Sequence, residues 1–67
     1  MKIFAERIKD LREEEKLSTR QLAEILGTTN STVSRWERNI CEPGVSMLTK
    51  IANYFKVSTD FLCGLED

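Results

Sequence analysis

The stretch TRQLAEILGTTNSTVSRWER, residues 19–38, constrains this chain more than any other part of it. Leu22 and Leu26 stand four apart, and Val33 and Trp36 three apart, so each pair shares one face of a helix. Between the pairs lies Gly27, of the residue type that most readily takes the positive φ needed to end a helix and turn the chain. Ala23 is small where two closely set helices would cross. The spacing therefore predicts two short helices around a tight turn, a helix-turn-helix. On the second helix the outward positions Asn30, Ser31, Ser34, Arg35 and Arg38 are short polar or cationic. Such a surface suits base edges and phosphates, so double-stranded DNA is the expected partner.

The flanking segments read as helical too, giving an all-α fold of five helices without strand-like alternation. Phe4, Ile8 and Leu11 mark the inner face of a first helix over about residues 2–15, with Leu17 packing just after it. Ser18 caps the second helix, and Gln21 three positions on completes a capping box. Thr29 caps the third in the same way. That helix ends near Arg38, where Asn39 suits a left-handed cap. Ile40 to Val45, with Pro43-Gly44 inside it, is expected to be a loop. Ser46 is expected to cap a fourth helix with Leu48, Ile51, Ala52 and Phe55 inward. Val57 packs in the connection, and Ser58 caps a short fifth helix through Phe61 and Leu62 toward Leu65. Trp36 is expected in the core against the fourth helix, its indole edge near the sugar-phosphate side.

With 67 residues the chain is expected to form one domain over 1–67, burying only about 60% of its unfolded surface. A second copy that binds only the folded state would add stability. No apolar run approaches the ~20 residues that span a bilayer, and charges interrupt residues 1–10, so a cytoplasmic protein is expected, near the nucleoid through DNA. There is no histidine, and Cys41 and Cys63 stand far apart, which argues against a zinc site, a cofactor or a disulfide. Without a histidine, a glycine-rich phosphate loop or a base beside either cysteine, an enzyme is not expected. No sensor domain is expected either, leaving concentration, a regulatory protein partner or turnover as the means of control.

Net charge alone points away from nucleic acid: ten basic and eleven acidic residues give −1. The distribution is more telling. Residues 19–40 hold Arg20, Arg35 and Arg38 against Glu24 and Glu37, whereas residues 41–67 hold two lysines against four acids. Non-specific affinity should be weak, so binding would depend on base and phosphate contacts in register.

Two segments, RIKDLREEEKLSTRQLAEILGTTNSTVSRWERN and CEPGVSMLTKIANYFKVSTDFLCG, together resemble the lambda-repressor-like domain, the Cro/C1-type helix-turn-helix or XRE family. The resemblance covers about Ile3 to Gly64. It implies that the third helix lies in the major groove while the second crosses the backbone. It also implies that Asn30, Ser31 and Arg35 face bases, with Ser34 beside them; Asn30 suits adenine and Arg35 guanine. Thr19 stands where the family often has a glutamine that reaches both a phosphate and its neighbour on the third helix; threonine is shorter. Thr19, Arg20, Thr29, Arg38 and Asn39 are the phosphate candidates. Other roles stay open: Asn30 and Ser31 are good first-turn residues, Arg35 fits an idle surface cation, and Arg20 and Arg38 suit ion pairs.

The resemblance further pairs Arg12, late in the first helix, with Glu37, late in the third; two unrelated surface charges is the alternative. The whole implies a sequence-specific transcriptional regulator, expected to repress as a homodimer on a palindromic operator. Its interface is expected at Val57, Phe61, Leu62 and Leu65, with third helices about 34 Å apart. An antitoxin or adaptor on the same fold is the other reading. The polar and cationic surface of the third helix argues against it, since an interaction helix would show an exposed apolar stripe.

Overall fold

Left-handed residues divide the chain into its helices. A computed structural model describes residues 2–66. It shows helices α1 (Lys2–Glu14), α2 (Thr19–Leu26), α3 (Asn30–Glu37), α4 (Val45–Phe55) and α5 (Thr59–Cys63), and no strand among the described residues. Met1 and Asp67, the ends of the expected 1–67 unit, lie outside the described residues. Each helix is followed by a residue of positive φ: Lys16, Gly27, Asn39, Lys56 and Gly64, all between 57° and 81°. In every case the next residue donates its N–H to the carbonyl five positions back, at 2.8–3.1 Å, which satisfies carbonyls the helix end would leave unpaired.

Three helix starts follow the capping chemistry in the sequence. The hydroxyls of Ser18, Thr29 and Ser58 accept from the N–H three residues on, and Gln21 Oε1 returns a bond to the Ser18 N–H at 2.8 Å. The fourth differs from expectation. Gly44, not Ser46, is the N-cap of α4, and Val45 and Ser46 already lie in the helix, with no side chain capping it. Glycine at this position costs only a few tenths of a kcal/mol against a polar cap, so a nearby serine is a weak guide. The fifth helix also stops early. Gly64 turns the chain after Cys63, which leaves Leu65 outside the helix and 76% exposed.

All five helices contribute to one core. Phe4 and Ile8 of α1, Leu22 and Leu26 of α2, Val33 and Trp36 of α3, Ile51 of α4 and Leu62 of α5 are each 3% exposed or less. Full burial of one such side chain is worth about 1.5–3 kcal/mol. Trp36 is a core residue, in one cluster with Ile51 and Ala52 of α4, and its ring meets Phe4 of α1 edge-on at 6.2 Å and 74°. Edge-to-face packing suits the opposed charge of a ring's face and rim. No helix of the described residues is long and apolar enough to cross a membrane.

The end of α5 is fastened to α1. The Arg7 guanidinium lies 4.2 Å from the centre of the Phe61 ring and donates to the carbonyls of Phe61 and Glu66. Ile3 packs so closely on Gly64 that a Cβ there would fall 2.9 Å from its Cγ2 and Cδ1. At Gly27 the nearest atom to such a Cβ is Lys50 Nζ, at 3.9 Å. Gly27→Ala therefore carries only the left-handed cost of about 1–2 kcal/mol. Gly64→Ala carries that cost plus displacement of a β-branched side chain that is stiff at χ1. Thermal melting should show the larger loss at Gly64; equal shifts would mean that the Ile3 contact yields freely.

Candidate nucleic-acid interface

The turn between α2 and α3 is set by its hydrogen bonds. The Gly27 N–H donates to Glu24 O at 3.3 Å and the Thr28 N–H to Ala23 O at 2.9 Å. Lys50 of α4 donates to the Leu26 carbonyl at 3.2 Å, bringing a cation to the negative end of the α2 dipole. Beneath the turn Leu22, Ala23 and Leu26 are buried together with Val33 and Trp36, so α3 is held by its inner face. Its outer face is left to solvent.

On that outer face Asn30, Ser31, Arg35 and Arg38 are exposed, and Ser34 is half-buried between them. Positions 30, 34 and 38 and positions 31 and 35 form two adjacent rows at four-residue spacing, so all five side chains share one strip of surface. Arg20 and Thr29 are exposed as well, and Asn39 follows the helix at φ 60°. The Thr29 hydroxyl caps α3 through the Thr32 N–H at 3.2 Å and lies 2.9 Å from the Thr32 hydroxyl. Thr19 is half-buried at the start of α2, and short as it is, its hydroxyl reaches across the turn to donate to Asn30 Oδ1.

Arg12 and Glu37 meet. Arg12 Nε donates to Glu37 Oε2 at 2.7 Å and Nη2 to Oε1 at 2.9 Å, a two-pronged pair with side chains 13% and 8% exposed. The third guanidinium nitrogen donates to the Leu17 carbonyl at 2.7 Å, and Glu13 approaches Nη2 at 3.9 Å. The planar fork matches a carboxylate in both distance and direction, so the pair fixes an angle as well as a separation. The hydrogen bond to Glu37 raises the arginine pKa above its ordinary value despite the opposing effect of burial, and the charge attraction of Glu37 and Glu13 adds to it. The last turn of α3 is thereby tied to α1 on one side while its outer strip stays open.

The expected interface between copies divides. Leu62 is fully buried in the core and offers no surface to a partner; a helix as short as α5 directs its one best-placed apolar residue inward. Val57 is half-buried and packed on the core, and Phe61 is half-buried under the Arg7 guanidinium. Leu65 alone of the four is exposed, next to the Gly64–Ile3 contact, where Ile3 is itself 45% exposed. Sequence reasoning also missed the roles of Arg7 and Lys50. Each acts on a backbone carbonyl more than twenty residues away, and such a pairing leaves no local pattern.

A helix-turn-helix family profile matches residues 8–62. The chain is 38% identical over 60 residues to the SPbeta prophage-derived uncharacterized HTH-type transcriptional regulator YonR of Bacillus subtilis (strain 168), covering 90% of this chain and 56% of that protein. It is 32% identical over 64 residues to the HTH-type transcriptional regulator ImmR of the same organism, covering 96% of this chain and 50% of that protein. It thus spans about half the length of the curated relatives it matches. Among solved structures, the P22 c2 repressor in complex with synthetic operator 9T superposes with a TM-score of 0.83 at 30% identity, over 88% of this chain and 89% of that one. Hydroxypropylphosphonic acid epoxidase from S. wedmorenis superposes with a TM-score of 0.81 at 37% identity, over 91% of this chain but only 32% of the epoxidase.

Proposed function

The chain belongs to the helix-turn-helix family, and on that footing we propose that it is a sequence-specific DNA-binding transcriptional regulator, a repressor, that sets α3 in the major groove. The outer strip of α3 carries this reading. Its polar and cationic side chains stand on a helix whose inner face is buried and whose end is pinned by Arg12 and Glu37. Eight residues make a helix about 12 Å long, comparable to the major groove's width of about 12 Å. Asn30, Ser31 and Arg35 are the base-reading residues, with Ser34 recessed between them. Arg20, Thr29, Arg38, Asn39 and the first turn of α2 at Thr19 face the phosphates.

The operator of the P22 c2 repressor and the regulators of Bacillus subtilis support DNA over a protein surface as the occupant of α3. The epoxidase match cautions that the fold alone does not decide function, which is why the α3 side chains must. The proposal includes a homodimer, and size supports it. The long axis is 28 Å, short of the roughly 34 Å between successive major grooves on one face of DNA, so one copy reads one groove. Two copies reading a palindrome give the address length that a single recognition helix lacks. Cytoplasmic placement goes with this role.

Selection of bound duplexes from a random pool, followed by gel-shift titration, tests the reading. Arg35→Ala should weaken the selected duplex by about 1–3 kcal/mol and relax preference at one position. Arg38→Ala should weaken selected and scrambled duplexes alike and reduce the salt slope by about one. An Arg35→Ala protein with undiminished sequence preference would remove Arg35 from base reading.

A further inference from the structure

The solvent side of α1 carries its charges in a fixed order. Lys2, Glu6, Lys9 and Glu13 are all exposed, and at about 3.6 residues per turn they fall within about 60° of one another around the helix. Their signs run positive, negative, positive, negative. That order also suits pairs within the helix, at spacings of three and four. The helix does not close them. Among the described residues Lys2, Glu6 and Lys9 have no ion pair, and Glu13 approaches Arg12 instead, at 3.9 Å.

Reversed, the order is complementary to itself. With a second α1 laid antiparallel on the first, about a two-fold axis between residues 7 and 8, Lys2 stands opposite Glu13 of the second copy and Glu6 opposite Lys9 of the second copy. The two-fold repeats both pairs, along about 17 Å of helix. A parallel arrangement would set like charge on like. A contact between identical copies about a two-fold needs this kind of self-complementary surface. We propose that the outer strip of α1 docks a second copy of this chain, antiparallel, through these pairs. Exposed ion pairs each add little and salt weakens them, so the contact sets orientation and acts where copies are already crowded, as along DNA. Its place decides its use. Phe4 and Ile8, on the opposite side of α1, lie in the core, where Phe4 meets Trp36 of α3. The strip is thus across the core from the outer strip of α3, and a copy docked there leaves both α3 strips open. It joins copies on separate stretches of DNA. This bridging role rests on α3 being the DNA-reading helix; the contact itself does not.

Charge reversal tests the proposal, because the pairs are reciprocal. Glu6→Lys alone puts like charges opposite each other at both copies, and so does Lys9→Glu. A mixture of the two single variants restores opposite charges along the whole strip. In millimolar solution at low salt, the α1 amide NMR shifts of the parent should move with concentration and return when salt is raised. Either variant alone should associate about tenfold less, and isotope-labelled Glu6→Lys mixed with unlabelled Lys9→Glu should regain the parent's behaviour. Charges that serve only within each helix would gain nothing from mixing, and that result overturns the proposal, as does a parent whose shifts ignore concentration. On DNA, the parent should carry a free labelled duplex to a bead-held one. Lys9→Glu should carry about tenfold less while binding a single duplex nearly as tightly as the parent. Absence of bridging by a parent that binds DNA, or undiminished bridging by Lys9→Glu, would also overturn it. If the parent selects no duplex at all, the DNA-reading function falls, while the shifts still decide whether α1 docks a second copy.

Discussion

Arg12→Leu is expected to lower the stability of the fold by about 3–5 kcal/mol, the usual cost of removing one partner from a buried ion pair. The substitution leaves the Glu37 carboxylate, 8% exposed, without its two guanidinium bonds, and the Leu17 carbonyl without its donor. Domains of this size are stable by only about 5 kcal/mol or somewhat more, so the variant should be left at the margin of stability near room temperature. Arg20→Leu, on the exposed face of α2, is the control and should change stability by less than about 0.5 kcal/mol. The double variant Arg12→Leu/Glu37→Leu should recover most of the loss, because apolar residues of similar volume replace a buried pair at little net cost. Since the hydrogen bond to Glu37 raises the arginine pKa, the arginine side of the bridge contributes stability at every pH below its ordinary value. That contribution is lost only as pH rises through the raised value, far above neutrality. The Arg12→Leu deficit should therefore appear throughout the neutral range. Equal melting temperatures for Arg12→Leu and Arg20→Leu would show the bridge to be idle.

Much of this architecture could be read from residues whose signals are local. Ser18 with Gln21, Thr29 and Ser58 mark helix starts through a hydrogen bond to a residue three positions on, and the structure has all of them. Gly27 and Asn39 mark helix ends because few other residue types take positive φ cheaply. Lys16 and Lys56 adopt the same conformation at a cost of about 1–2 kcal/mol each, and a lysine gives no warning of it. There the buried residues on either side, Ile8 and Leu22 or Ile51 and Leu62, dictate where the chain must turn. Long-range partners were the other gap. Phe4 against Trp36, Arg7 against the end of α5 and Lys50 against α2 depend on how helices cross, which periodicity does not encode. The outer strip of α3 was legible because it is defined by what its residues do not bury. The Thr19–Asn30 bond leaves no local pattern and was suggested only by the resemblance, because it is the crossing of α2 and α3 that brings those two side chains within reach.

Leu62 and Leu65 stand three residues apart and should respond to substitution in opposite ways. Leu62 is fully buried among residues of the core, so Leu62→Ala leaves a cavity and should cost about 2–5 kcal/mol of stability. At about 4–8 °C per kcal/mol for a domain of this length, that is a fall in melting temperature of at least roughly 8 °C. The loss should be the same at low and high protein concentration, because it belongs to the single copy. Leu65 is 76% exposed beyond the end of α5, so Leu65→Glu should change the stability of a dilute sample by less than about 0.5 kcal/mol. If copies meet through the Leu65 and Ile3 surface, Leu65→Glu places a charge in that contact, and burying an unpaired charge is costly. Sedimentation at micromolar concentration should then show a dimer for the parent and a monomer for Leu65→Glu. A Leu65→Glu protein that still sediments as a dimer would move the interface elsewhere on the surface. A parent that stays monomeric even on its operator would end the dimer proposal, while the Leu62 prediction, which rests on the core alone, would stand.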